Sequence, residues 1–158
     1  MESKVKYRRL TLEELHLLEK EFVDFLVVNG VGAEDWEKLK AEDKPVAERM
    51  IDLFSDVVME GTLRKIQFLE FHSVQEVMTF QCQNEKIILI GLEGPQGLDL
   101  SNSTTLQEVL KNPPEGVKVF RSEKSYLQSR EEELFQMIQK GAVISDGLLF
   151  KSLLVTMG

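Results

Sequence analysis

The stretch EVMTFQCQNEKIILIGL, residues 76–92, decides how the rest of the chain is read. Its first half alternates, with Met78, Phe80 and Cys82 on one side and Val77, Thr79 and Gln81 on the other. That is the period of a strand, and the side carrying Met78, Phe80 and Cys82 is expected to be the buried one. In the second half Ile87, Ile88, Leu89 and Ile90 are apolar on both sides, so both faces of that strand need cover. Gln83-Asn84-Glu85 suits a tight reversal between them. The two halves form a β-hairpin whose second strand lies near the centre of a sheet. The hairpin anchors a fold and names no function.

Upstream the pattern turns helical. Thr11-Leu12-Glu13-Glu14 has the form of a capping box, and Leu15, Leu18, Phe22, Phe25 and Leu26 fall on one stripe as far as Asn29-Gly30. Leu17 and Val27 lie off that stripe and are candidate interaction residues. A second helix is expected over Ala33–Glu42, presenting Trp36 and Leu39. A third starts near Pro45 and ends about Gly61 or Leu63. Met50, Leu53, Phe54 and Val57, widened by Ala47, Ile51 and Val58, form its apolar stripe. Residues 65–72 (KIQFLEFH) read as a strand leading into the hairpin, with a prolonged third helix as the alternative.

Downstream, EGPQGLDLSNSTT is a polar loop expected at the surface. A short helix over Thr105–Lys111, a short strand over Val117–Phe120 and a long helix over Ser125–Lys140 follow, the last with Glu131–Glu133 outward. Residues 148–155 form either a final helix or one arm of a second hairpin turned by Asp146-Gly147; the helix is favoured. The fold class is therefore α+β. N-terminal helices pack on a mainly antiparallel three- to four-stranded sheet, with further helices near the C-terminus. Residues 1–158 are taken as a single domain with a basic arm at 1–10, and Ile88, Ile90, Phe80, Leu53, Phe54 and Phe22 as members of one core.

With 42% apolar and 29% charged residues, the chain has the composition of a soluble globular protein. A net charge of −8 opposes the phosphate-neutralising surface of a general nucleic-acid binder. The lone cysteine excludes an internal disulfide, and no apolar run approaches membrane-spanning length. The expectation is a cytoplasmic protein without nucleic-acid or membrane partners, whose partner is another protein or a second copy of itself.

His72 and Cys82 are the one pair able to supply a thiol nucleophile and its base, with Glu70 to orient the imidazole. Against this, Cys82 continues an apolar face, where an inert thiol is the usual outcome. Gly91, Gly94 and Gly97 follow a strand, but Pro95 and the absence of a following Lys-Ser/Thr fit a plain loop rather than a phosphate cradle. His16 reads as solvated. The acidic pairs lack calcium-loop spacing. No cofactor or metal site is implied, and the balance falls against an enzyme. Lys4, Lys6, Tyr7, Arg8 and Arg9 stand out on so acidic a chain. Tyr7, Arg8 and Arg9 are candidate interaction residues, for an acidic partner or for the protein's own acidic surface.

Tyr7-Arg8-Arg9-Leu10-Thr11, Asp35-Trp36-Glu37-Lys38, Leu53-Phe54-Ser55-Asp56, Ile90-Gly91-Leu92, Arg130-Glu131-Glu132-Glu133 and Ile144-Ser145 resemble an uncharacterised family of small Bacteroidetes proteins, a domain of unknown function. The likeness spans most of the chain. It implies a cytosolic bacterial protein and supplies no catalytic or binding residues. Two functional classes follow: a non-enzymatic protein-interaction or regulatory module, and a small enzyme or ligand-binding protein with a pocket between the sheet and the 93–104 loop.

Overall fold

The computed structural model describes residues 5–157. The chain divides into two compact units, Met1–Arg64 and Lys65–Gly158.

In the first unit the capping box forms as its sequence requires. Thr11 Oγ1 accepts the Glu14 N–H at 3.2 Å, and Glu14 Oε1 accepts the Thr11 N–H at 2.8 Å. The helix it opens is not continuous. The backbone leaves helical geometry at Leu18 (φ −105°, ψ 24°), giving α1 (Leu12–Leu17) and α2 (Glu19–Val28). The expected stripe survives the break: Leu15, Leu18, Phe22 and Phe25 are half-buried and Leu26 is buried. α3 spans Ala33–Glu42 and α4 spans Lys44–Lys65. Phe22 meets Trp36 edge-on at 5.2 Å and Phe54 at 5.0 Å, so an aromatic cluster joins α2, α3 and α4.

α4 follows the longer of its two expected ends and differs from its sequence reading in the face it buries. It runs through Gly61, where a helix interior costs about 1 kcal/mol relative to alanine, to a fully buried Leu63. Its buried face is rotated. Ala47, Asp52, Phe54 and Ser55 are buried, whereas Leu53 is 44% exposed and Val57 is exposed as well. The reason is the N-terminal segment, which occupies the Asp52–Ser55 side of the helix.

The second unit holds β1 (Phe68–His72), β2 (Glu76–Cys82), β3 (Lys86–Glu93), β4 (Lys118–Ser125) and β5 (Val143–Ser145). They form one antiparallel sheet in the order β4-β3-β2-β1-β5, so the sheet has five strands and not three or four. β1 begins only at Phe68 because α4 claims Lys65. β4 continues to Ser125, displacing the start of α6 (Arg130–Gln139) to an N-cap at Ser129. β5 had no sequence signal; three residues cannot show a period, and pairing with β1 alone defines it.

One face of the sheet builds the core. Phe68, Val77, Ile88, Ile90 and Leu92 pack with Leu106 and Val109 of α5 (Ser103–Lys111), Phe150 and Leu153 of α7 (Leu148–Met157), and Leu100. Residues 148–155 are thus helical. The 93–104 loop is no free excursion, since Leu100 is fully buried and its N–H donates to Val74 O at 2.8 Å. The buried side of β2 is Val77 and Thr79, while Met78 and Phe80 are half-buried. As an inner strand β2 is covered on both faces, so hydrophobicity alone could not tell which is deeper. The Thr79 hydroxyl is accommodated by donating to Ile90 O at 2.7 Å. The expected six-residue core is therefore not one cluster. Ile88 and Ile90 belong to the sheet core, Phe22 and Phe54 to the aromatic cluster of the first unit, and Leu53 and Phe80 to neither.

Candidate functional site

β1 brings Glu70 and His72 to one face of the sheet, two residues apart. His72 Nε2 lies 2.8 Å from Glu70 Oε1, and the Ser145 hydroxyl of β5 donates to Glu70 Oε2. Glu70 therefore sits between a hydroxyl and an imidazole. A nucleophilic serine needs the imidazole next to the hydroxyl, with the carboxylate behind it, so Ser145 is not activated here.

Cys82 does not join them. His72 pairs with Val77, whereas the Cys82 N–H donates to the carbonyl of Gln67, just ahead of β1, at 2.8 Å. Five residues of β2 separate the two positions, roughly 17 Å of strand, and an odd spacing puts them on opposite faces. Cys82 is 5% exposed, and burial pushes its thiol up to about 12, with the nearby Arg130 charge offsetting only part of the effect. A thiol so seldom ionised is a poor nucleophile.

What surrounds Cys82 is a structural clamp that the sequence did not disclose. Arg130, only 11% exposed at its side chain, donates from Nε to Gln83 O and from Nη2 to Cys82 O, each at 3.2 Å, and to Ile66 O. Tyr126 adds a hydroxyl bond to Gln83 O at 2.7 Å. Glu133, expected on the outer side of its helix, is instead buried. Burial pushes its carboxyl up, but the N–H groups of Leu127 and Gln128 and the ammonium of Lys124, 3.1 Å away, together hold it below the usual carboxylate range. One signal could have found Arg130: a cation in the first turn of a helix opposes the helix dipole, which marks a side chain held by other partners.

The basic arm has a docking place within its own unit. Lys4 lies outside the described residues; residues 5–10 run along α4. The Lys6 and Tyr7 N–H groups donate to Asp56, and the Tyr7 hydroxyl to Glu60. Arg9 grips Asp52 with Nε at 2.6 Å and Nη2 at 3.1 Å, and the Leu10 N–H donates to Ser55 Oγ at 3.0 Å. Asp52, Asp56 and Glu60 are spaced i, i+4, i+8, one ladder on one helix face. Tyr7 is 7% exposed. Arg8 turns the other way and holds Glu14 through paired bonds of 2.8 Å. That guanidinium, aided by the Thr11 N–H, draws the Glu14 carboxyl down to about 2.

Leu17 and Val27 remain in water, at 81% and 60% exposure, joined on α1 and α2 by exposed Leu12, Val23 and Val28. In the second unit a hollow of about 400 Å³ opens between Leu98 and α5, lined also by Thr105, Glu108, Lys111 and Pro114. Glu70, His72 and Cys82 do not line it. Among the described residues no three His, Cys, Asp or Glu side chains gather as metal ligands, and no helix is long and apolar enough to cross a membrane.

One family profile matches residues 5–157, from the docked arm to the end of α7. The chain belongs to that family, the family of unknown function DUF6495. Because the match takes in every element of both units, the arm on α4 and the five-stranded sheet both lie within the DUF6495 region. No curated protein and no solved structure matches this DUF6495 member significantly.

Proposed function

We propose that this protein is a non-enzymatic interaction or regulatory module of a bacterial cytosol, and that it engages a protein partner through α1 and α2. The observation that carries the reading is the set of exposed apolar side chains on these two short helices: Leu12, Leu17, Val23, Val27 and Val28. Apolar groups scattered singly need no explanation, but five on seventeen residues invite cover. Their surroundings are acidic, with five carboxylates against one lysine between residues 12 and 28. The complementary occupant is an amphipathic helix with a basic flank, whose apolar stripe meets these side chains while its cations face Glu13, Glu19, Glu21 and Asp24.

The test compares the wild-type protein with Leu17→Glu/Val27→Glu in affinity capture from its own cytosol, followed by binding of the purified partner. Both positions are solvent-exposed, so the melting temperature should not move. The reading predicts a stoichiometric partner with a basic amphipathic helix, bound at least ten-fold more weakly by the variant. Equal binding by both proteins would place the contact elsewhere.

A further inference from the structure

β4 is an edge strand of eight residues, and of the usual defences of an edge it carries charge, at Lys118, Arg121, Glu123 and Lys124, but neither bulge nor proline. It pairs with β3 through eight consecutive positions. No described residue hydrogen-bonds to its outer backbone. Lys118 and every residue from Arg121 to Ser125 are exposed. Its charges are of both signs, and their order is informative. In KVFRSEKS, Ser122 is flanked by Arg121 and Glu123, which share one face of the sheet, with Arg121 Nη2 3.2 Å from Glu123 Oε2.

We propose that β4 pairs antiparallel with β4 of a second copy about a two-fold axis through Ser122, joining two sheets edge to edge. A two-fold perpendicular to the sheet keeps each side chain on its own face, so it must pass through a residue opposite its own copy. With Ser122 on the axis, each Arg121 stands opposite the Glu123 of the other copy. Four charges then alternate in sign around the axis. Phe120 meets Lys124, and Val119 meets Ser125, so no like charges face each other. Moving the axis one residue either way places Arg121 on Arg121 or Glu123 on Glu123, which is destabilising in directly opposed strand positions. The charge order thus selects one register as well as one partner. This surface is separate from α1 and α2, so it stands or falls independently of the partner reading above.

The experiment measures mass by sedimentation across micromolar concentrations. The wild-type protein should reach twice 18.1 kDa. Arg121→Glu and Glu123→Arg should each weaken self-association by roughly ten-fold or more, since each sets two like-charge pairs across the axis. Mixed one to one, the two variants should recover the dimer, because Glu at 121 of one copy then faces Arg at 123 of the other. Independently, Ser122→Cys should form an interchain disulfide readily on mild oxidation, its two Cα atoms lying within disulfide range in this register. Ser125→Cys should not, being roughly 20 Å from its own copy. A wild-type protein that stays monomeric, reversals without effect, a mixture that fails to associate, or equal cross-linking at both positions would each overturn the proposal.

Discussion

In the first unit an extended arm is held on α4 by a carboxylate ladder, and its aromatic cluster is small. In the second, five strands close over a continuous apolar core, and buried polar groups are tied to the main chain, Thr79 to a carbonyl and Glu133 to N–H groups. The arm's contacts are charge-assisted, partly wet and local to one helix face; Arg9 is 39% exposed where it grips a nearly buried Asp52. The sheet's contacts are dry and long in range. Similar numbers of hydrogen-bonding groups can therefore respond to salt, acid and truncation quite differently, because water and ions compete for the first kind and cannot reach the second.

The sheet core should give the largest response. Ile90, with no exposure, lies in the middle of β3, and Ile90→Ala should cost about 2–5 kcal/mol in chemical denaturation. Leu53→Ala should cost no more than about 0.5 kcal/mol, since that side chain is exposed. Comparable losses would show that the assigned buried faces are wrong. Next comes Gly91, opposite Phe120 in the β3–β4 ladder. A Cβ there would stand 2.2 Å from Phe120 Cζ, so Gly91→Ala must expel the ring and should cost about 1–3 kcal/mol. A neutral result would mean that the ring does not lie across the strand.

The arm should respond less strongly and with a different signature. Asp52→Ala should lower stability by about 1–2 kcal/mol, and the loss should shrink in high salt. The cost of Ile90→Ala should not shrink. A salt-independent Asp52→Ala would show that the arm is held by Tyr7 burial and main-chain bonds alone. The smallest effect is the Arg8–Glu14 pair. Its carboxyl falls from an ordinary 4.5 to about 2, so its stabilisation is complete above pH 4.5 and is lost as pH falls toward 2. Glu14→Gln should flatten acid unfolding in that window, with its small cost present in full at neutral pH and gone near pH 2. An unchanged acid limb would assign acid sensitivity to other carboxylates, Glu133 first among them.

The site residues divide along the same line. Glu70 and His72 could be paired from sequence because two residues along a strand share a face. Their separation from Cys82 could not be known, since it depends on how far β2 runs past β1 and on the parity of that register. The arm's charges were conspicuous beside an acidic helix turn, but Asp52 and Asp56 read as an acidic pair on an exposed helix face, where residues 5–10 in fact bind.

By itself the sequence determined what short-range chemistry controls. It set the capping box at Thr11, the bounds of α3, the reversal at Gln83–Glu85 and the apolar both-faced character of β3, each specified within a few residues. Tertiary structure decided whatever depends on a distant neighbour. It carried α4 through Gly61, because burial of Leu63 outweighs a weak local preference. It made a strand of three residues at Val143–Ser145, because β1 offered unpaired backbone there. It extended β4 through Arg121–Ser125, a charged run with no apolar alternation, because hydrogen bonding to β3 does not require the side chains of an edge strand to be buried.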